Sequence, residues 1–167
     1  MPLIINRQSQ VEQVEDTWTL CLDAEAALPA GDVIVPLKRM LADANGEISS
    51  HAGRVAPLVE PADDTLTIKD LVGTLPLVAV HFPVFTDGRG FTHARILRER
   101  FGYQGEIRAV GDVTRDRLQY MARCGFDAFL IAEDRFKAEH LEALSEIGVD
   151  YQGGAYDPRP LFRRWAQ

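Results

Sequence analysis

From Arg54 onward the chain alternates two kinds of hydrophobic pattern. Short continuous apolar runs, "LPLVAVHF" above all, have the signature of strands covered on both faces. Between them, apolar residues recur every three or four positions, the period of a helix with one buried side. "RVAPLVE" predicts a strand and "DDTLTIKDLVG" a short helix. Thr92 to Phe101 reads as a helix that buries Ala94, Leu97 and Phe101, and "GEIRAVGDV" as the next strand. Thr114 to Cys124 follows as a helix burying Leu118, Met121 and Ala122, then "FDAFLIA" as a strand. "RFKAEHLEALSEIG" carries Ala138, Leu141, Leu144 and Ile147 on one side with Gly148 just past its end, and so predicts a helix. "VDYQG" reads as a last strand.

Strands alternating with helices of this length mean βαβ units and a parallel sheet. Four or five such strands fit, whereas a complete eight-stranded barrel needs about 250 residues. The expectation is an α/β fold whose mostly parallel βα units form a partial barrel-like arc or an open sheet. The first fifty residues differ: "PLIIN", "TWTLCL" and "DVIVPL" are β-rich runs, and "ANGEISSHAG" holds a turn at Asn45-Gly46. They predict a small antiparallel or edge element, such as a β-ribbon. All 167 residues then make one domain: a β-rich element over 1–50, a βα core over 54–152 and a tail over 153–167.

Composition narrows the function classes. The net charge of −7 argues against nonspecific nucleic-acid binding, which depends on cations that neutralise phosphates. Arg89, Arg95, Arg98, Arg100 and Arg108 nevertheless concentrate in one region. No run approaches the roughly 18 apolar residues of a membrane span. The start, "MPLIINRQSQ", lacks the basic and apolar regions of a signal peptide, so a cytoplasmic location is expected. Cys21 and Cys124 are far apart and form no C-x-x-C pair, which removes the usual cysteine-based zinc and iron–sulfur sites. Cys124 reads as a buried structural thiol.

In parallel α/β folds ligands bind where strands run into helices. Three loops qualify: Thr86 to His93, Gly111 to Asp116, and Glu133 to Arg135. If their strands are neighbours, Asp87, Arg89, His93, Asp112 and Glu133 converge on one rim. "FTDGRGFTHAR" has the strongest case. Gly88 and Gly90 permit unusual backbone conformations and close approach of a ligand. Thr92 is a candidate N-cap, free N–H groups at the helix start favour an anion, and Arg89 adds a fork of donors. Phosphate, sulfate, sulfite or a carboxylate would suit. Asp87 is placed to orient Arg89 or to act as a general base, and Asp112 is the second candidate carboxylate. The rival reading is a tight turn in which Arg89 pairs with Asp87 or Asp112.

"GRGFTH" breaks the G-x-G-x-x-G fingerprint at His93, and no ATP- or GTP-type phosphate loop or nucleophile elbow occurs. His93 lies at the expected helix start as a neutral hydrogen-bonding group. His81 falls within an apolar strand and reads as a satisfied core histidine, and His140 as a surface residue. No histidine–carboxylate spacing argues for a metal. The tail "YDPRPLFRRWAQ" mixes aromatics with arginines, which suits either a partner surface or a cover for the domain's own edge through Phe162 and Trp165.

Residues 82–129, "FPVFTDGRGFTHARILRERFGYQGEIRAVGDVTRDRLQYMARCGFDAF", resemble the signature stretch of a bacterial family of unknown function. Its members are described as oxidoreductases of sulfite reduction, encoded beside siroheme sulfite reductase and phosphoadenylylsulfate reductase. The resemblance implies a role in assimilatory sulfate reduction with sulfite reductase as a partner. An oxidoreductase needs a redox carrier, and the residues identify none. Either a flavin or another carrier binds without a recognisable motif, or the protein is not itself the reductase. Three readings stay open. One is an accessory protein that delivers substrate or helps electron transfer. A second is an enzyme in which Gly88, Arg89, Gly90, Thr92 and His93 hold an anion while Asp87 or Asp112 handles a proton. The third is a non-redox lyase or isomerase that uses the same rim.

Overall fold

The apolar runs become strands of a single eight-stranded sheet in the computed structural model, which describes residues 1–7, 10–43, 45–146 and 149–164. The strands are β1 (Leu3–Arg7), β2 (Gln10–Val14), β3 (Trp18–Leu20), β4 (Asp32–Pro36), β5 (Val55–Val59), β6 (Leu77–Phe82), β7 (Glu106–Gly111) and β8 (Ala128–Leu130). Their order across the sheet is β2-β1-β8-β7-β6-β5-β4-β3. From β3 to β8 neighbours are parallel and follow chain order, while β1 is antiparallel to both β8 and β2. The sheet curls into a half-barrel, so the α/β arc expected from the hydrophobic pattern is the fold. Its helices are α1 (Leu37–Ala42), α2 (Arg89–Arg95), α3 (Arg115–Cys124) and the short α4 (Leu161–Arg164).

The curl has a covalent cause. The two edge strands, β2 and β3, are consecutive in sequence and joined only by Glu15, Asp16 and Thr17. Val14 and Trp18 are four residue steps apart, so they lie within about 14 Å of each other however extended the linker is. A flat eight-stranded sheet would separate its edges by about 33 Å, from a spacing of about 4.7 Å per strand.

Alternation along the strands sorts the side chains. Val78, Val80 and Phe82 of β6 face outward and join Leu97, Leu118 and Met121 from the helical layer in the main core. Leu77 and Ala79 face inward and meet Leu3, Ile5, Leu58, Val110 and Leu130 in a second cluster on the inner face of the curl. Arg98 ties together chain segments at the β7–β8 side. It donates to the carbonyls of Gly125 (2.9 Å), Tyr103 (2.6 Å) and Gly105 (2.8 Å), and it pairs with Asp127.

Several expectations change. Within the N-terminal fifty residues only β1 and β2 form an antiparallel ribbon; β3 and β4 join the parallel sheet, which therefore has six parallel strands. The pattern conceals this because no helix lies between β3 and β4. "VDYQG" forms no strand: the edge of β8 where it would pair is taken by β1, with Leu3 opposite Leu130. "DDTLTIKDLVG" makes two 3₁₀ turns, Thr65–Ile68 and Val72–Thr74. "RFKAEHLEALSEIG" likewise makes only short turns at Ala138–His140 and Glu142–Leu144, while Ile147 and Gly148 lie outside the described residues. His140 is buried rather than on the surface; its ring stacks on Phe136 and accepts from the Lys137 N–H at 3.0 Å. That local bond closes a single turn in place of a continuing helix.

Candidate functional site

Because β5 to β8 are parallel neighbours, the loops after them leave from one rim of the half-barrel. The three loops singled out in the sequence therefore share an end of the sheet. The Asp112 N–H donates to the Phe82 carbonyl at 2.7 Å and binds two of them together.

The predicted residues do not meet as one cluster. Asp87 and Arg89 form a closed pair, with Nε to Oδ1 at 3.0 Å and Nη2 to Oδ2 at 2.7 Å, and the Arg89 N–H also donates to Oδ1 at 3.1 Å. These bonds hold the Asp87 carboxyl down at about 2. Such a carboxylate is a weak base near neutral pH. Asp112 accepts from Nη1 of Arg135, which reaches across from the β8 loop at 2.6 Å. Glu133 is exposed beside Phe136, Leu130 and Met1, in another concavity.

The loop's glycines and helix start also differ from expectation. Helix α2 begins at Arg89 with Gly88 as its N-cap, so Thr92 sits inside the helix, exposed, and caps nothing. The apolar period begins later because the first turn packs through Gly90 rather than through a side chain. Neither Gly88 nor Gly90 has a positive φ. A Cβ on Gly90 would lie 2.6 Å from Phe82 Cζ and 2.7 Å from its Cε1, so this glycine brings the helix against the sheet. His93 is buried under the turn at Thr65–Ile68, with Nδ1 2.6 Å from Thr65 Oγ1 and Nε2 3.4 Å from the Pro61 carbonyl.

Three features of the rim escape sequence reasoning. Glu60 and His81 follow the register of β5 on β6 by one step, and His81 Nδ1 lies 2.9 and 3.0 Å from the two Glu60 oxygens. His81 is thus half-buried on the inner face at the strand end, not a core residue. Its Nε2 has no hydrogen-bond partner among the described residues. Next to it, Gly111 has φ +94°, and a Cβ there would lie 2.7 Å from His81 Cδ2 and against the Phe82 carbonyl. The left-handed backbone and the missing Cβ together make room for the imidazole. Finally, Arg117, on the first turn of α3, is turned back into the rim and buried. Its guanidinium lies 4.8, 5.1 and 5.3 Å from the ring centroids of Phe82, Phe85 and Phe91. The signal that could have found the first pair is positional: "LVE" and "VHF" end consecutive parallel strands.

At the opposite end of the curl, a cavity of ≈ 1010 Å³ opens on the inner face. Arg108, 2 % exposed, stands in it between Asp16 (2.7 Å) and Glu106 (2.8 Å). The Trp18 N–H donates to the same Asp16 at 3.0 Å. This charge cluster fastens the β2–β3 linker across the cup and has a structural role. Arg54, paired with Asp32, covers the Trp18 ring at 4.8 Å.

Among the described residues no group of three or more histidine, cysteine, aspartate or glutamate side chains is arranged to hold a metal. Cys124 is buried, as expected, and burial pushes its thiol up; the partly exposed Cys21 thiol is raised for the same reason. The tail binds back onto the domain through the Ala155 N–H to the Arg123 carbonyl (2.8 Å) and through Tyr156 to Asp127. Phe162 remains exposed, and Trp165 lies outside the described residues. No helix among the described residues is long and apolar enough to cross a membrane.

Residues 57–162 match the family described as bacterial protein of unknown function (DUF934). No curated protein and no solved structure is significantly similar to the chain. The matched span runs from within β5 into α4, includes every rim residue described above and covers more than half of the sequence. The chain therefore belongs to the DUF934 family of bacterial proteins of unknown function.

Proposed function

We propose that the protein serves the sulfite step of assimilatory sulfate reduction in the cytoplasm, working with sulfite reductase and receiving a small anion at the rim loops after β6 and β7. The observation that carries this reading is the stretch 82–129. It bears the resemblance to a sulfite-reduction family, and it is also the stretch that builds α2, β7, α3 and the two adjoining rim loops. In the accessory form of this role the protein delivers sulfite or assists electron transfer; in the enzymatic form it carries a redox group as well. Growth of a deletion strain tests the role. Growth on sulfide but not on sulfate or sulfite supports it, and normal growth on all three sulfur sources refutes it.

One observation favours proton chemistry at the same rim. A histidine whose Nδ1 is held by a carboxylate presents a correctly oriented Nε2, the arrangement of a general base. Glu60 and His81 have that arrangement where parallel α/β folds place their catalytic groups. On this second reading the protein is a lyase or isomerase of a small anionic substrate. Its discriminating result is turnover of such a substrate by the purified protein, lost in folded Glu60→Gln and His81→Gln variants, together with normal growth of the deletion strain on sulfate and sulfite.

A further inference from the structure

The rim contains a buried cation with no anion beside it among the described residues. Arg117 is 7 % exposed, and among the described residues no carboxylate pairs with it. Nη1 donates to the Asp112 carbonyl at 3.1 Å, and phenylalanine rings surround the guanidinium. Nη2 is fully buried and has no hydrogen-bond partner among the described residues. Aromatic faces attract a guanidinium, but they do not accept the in-plane N–H groups as an oxyanion does. A buried charge left in this state is costly unless something completes it.

A second unused donor stands three residues away. Thr114 is the N-cap of α3, a ten-residue helix, yet its hydroxyl makes no capping bond and is itself buried without a partner among the described residues. The first N–H groups of α3 thus lack the side-chain acceptor that a threonine N-cap normally supplies. The nearby carboxylates do not neutralise Arg117: Asp112 is engaged by Arg135, and Asp116 is exposed. Phe85, the outermost ring over Arg117, is 59 % exposed, whereas Phe82 beneath it is fully buried.

The geometry points to an oxyanion site at the start of α3, made by Arg117 Nη2, Thr114 Oγ1 and the N–H groups of Arg115 and Asp116, with Phe85 as its outer wall; the Arg117 N–H itself is taken by the Thr114 carbonyl at 3.1 Å. The ligand class is a small tetrahedral or pyramidal oxyanion. This inference rests on the reading that the rim receives an anion, and it assigns that anion to Arg117 rather than to Arg89, whose fork is already occupied by Asp87.

Isothermal calorimetry of the purified full chain tests it, with phosphate, sulfate and, under anaerobic conditions, sulfite as separate probes. Binding of at least one is expected, weakened at least tenfold in Arg117→Gln, the size of a lost charged hydrogen bond. Thr114→Val removes a hydroxyl that bonds to nothing, so it keeps the fold; a several-fold loss of affinity is expected there. Arg89→Ala should bind as the parent does. No binding of any probe by the parent overturns the site, as does binding lost in Arg89→Ala but kept in Arg117→Gln and Thr114→Val. The outcome separates from the pathway reading: binding as expected with normal growth on sulfate would keep the site and refute the pathway. A growth defect with no anion bound would do the reverse.

Discussion

Gly90→Ala tests what the glycines of "FTDGRGFTHAR" are for. A Cβ at this position would sit 2.6 and 2.7 Å from two atoms of the Phe82 ring and 3.1 Å from Val80 Cγ1. Ordinary carbon–carbon contacts are about 3.5–4.0 Å, so the ring must retreat by about 1 Å. It has nowhere to go: Phe82 is fully buried, with Phe91 and Phe126 at centroid distances of 5.1 and 5.7 Å and Arg117 at 4.8 Å. Overpacking of this kind costs about 1–3 kcal/mol. The better helix propensity of alanine returns at most about 1 kcal/mol, and less in a first turn. With a cost in the middle of that range, about 2 kcal/mol, and a first-turn return of about 0.5 kcal/mol, the net loss is about 1.5 kcal/mol, which at about 2–4 °C per kcal/mol for a chain of this size lowers Tm by about 3–6 °C. Thermal and urea unfolding followed by circular dichroism read this directly. An unchanged or raised Tm would refute the packing role and restore the idea that the glycine admits a ligand.

Two further outcomes follow from the ion pairs. The Asp87 carboxyl, held at about 2 by Arg89, should titrate in that range by NMR and return toward about 3.9 in Arg89→Ala; a value unchanged by the substitution would contradict the pairing. Because the folded pKa is depressed, the stability from this pair is fully present above about pH 4 and is lost as pH falls toward 2, so the stability difference between parent and Asp87→Asn should shrink over that window. Arg98→Ala leaves Asp127 without its buried cation and takes the arginine donor from the carbonyls of Tyr103, Gly105 and Gly125, the last of which keeps the Tyr156 hydroxyl; a loss of about 3–5 kcal/mol in urea unfolding is expected, and a loss below 1 kcal/mol would mean that Arg98 does not hold the β7 and β8 ends.

The regular part of the fold is legible because β5 to β7 are apolar runs separated by real crossovers. "LPLVAVHF" and "EIRAV" can only be buried strands, and α3 follows with its predicted limits almost unchanged. What escapes is what depends on closure of the sheet. Nothing local in "TWTLCL" or "DVIVPL" says that they extend a parallel sheet across a helix-free connection, or that "LIINR" returns to occupy the edge of β8. The same holds at the rim. Asp87 and Arg89 are two residues apart and their pairing is visible in the sequence, whereas Glu60–His81 and Asp112–Arg135 join residues 21 and 23 positions apart through strand adjacency. Arg117 looks like an ordinary helix-surface arginine at its position in the chain. Only the fold turns it inward, between loops that carry Phe85 and Asp112.

On the function proposed above, the rim at the C-terminal ends of β5 to β8 serves sulfite reduction and the cup at the other end does not. Growth on sulfite of a deletion strain complemented with two sets of folded variants tests it most directly. Rim variants would be Glu60→Gln, His81→Gln and Arg117→Gln; cup variants would be Arg54→Ala and Gln104→Ala, at residues lining the larger cavity. The parent and the cup variants are expected to restore growth, and the rim variants are not. Full growth with all three rim variants, or failure of the cup variants alone, would contradict it.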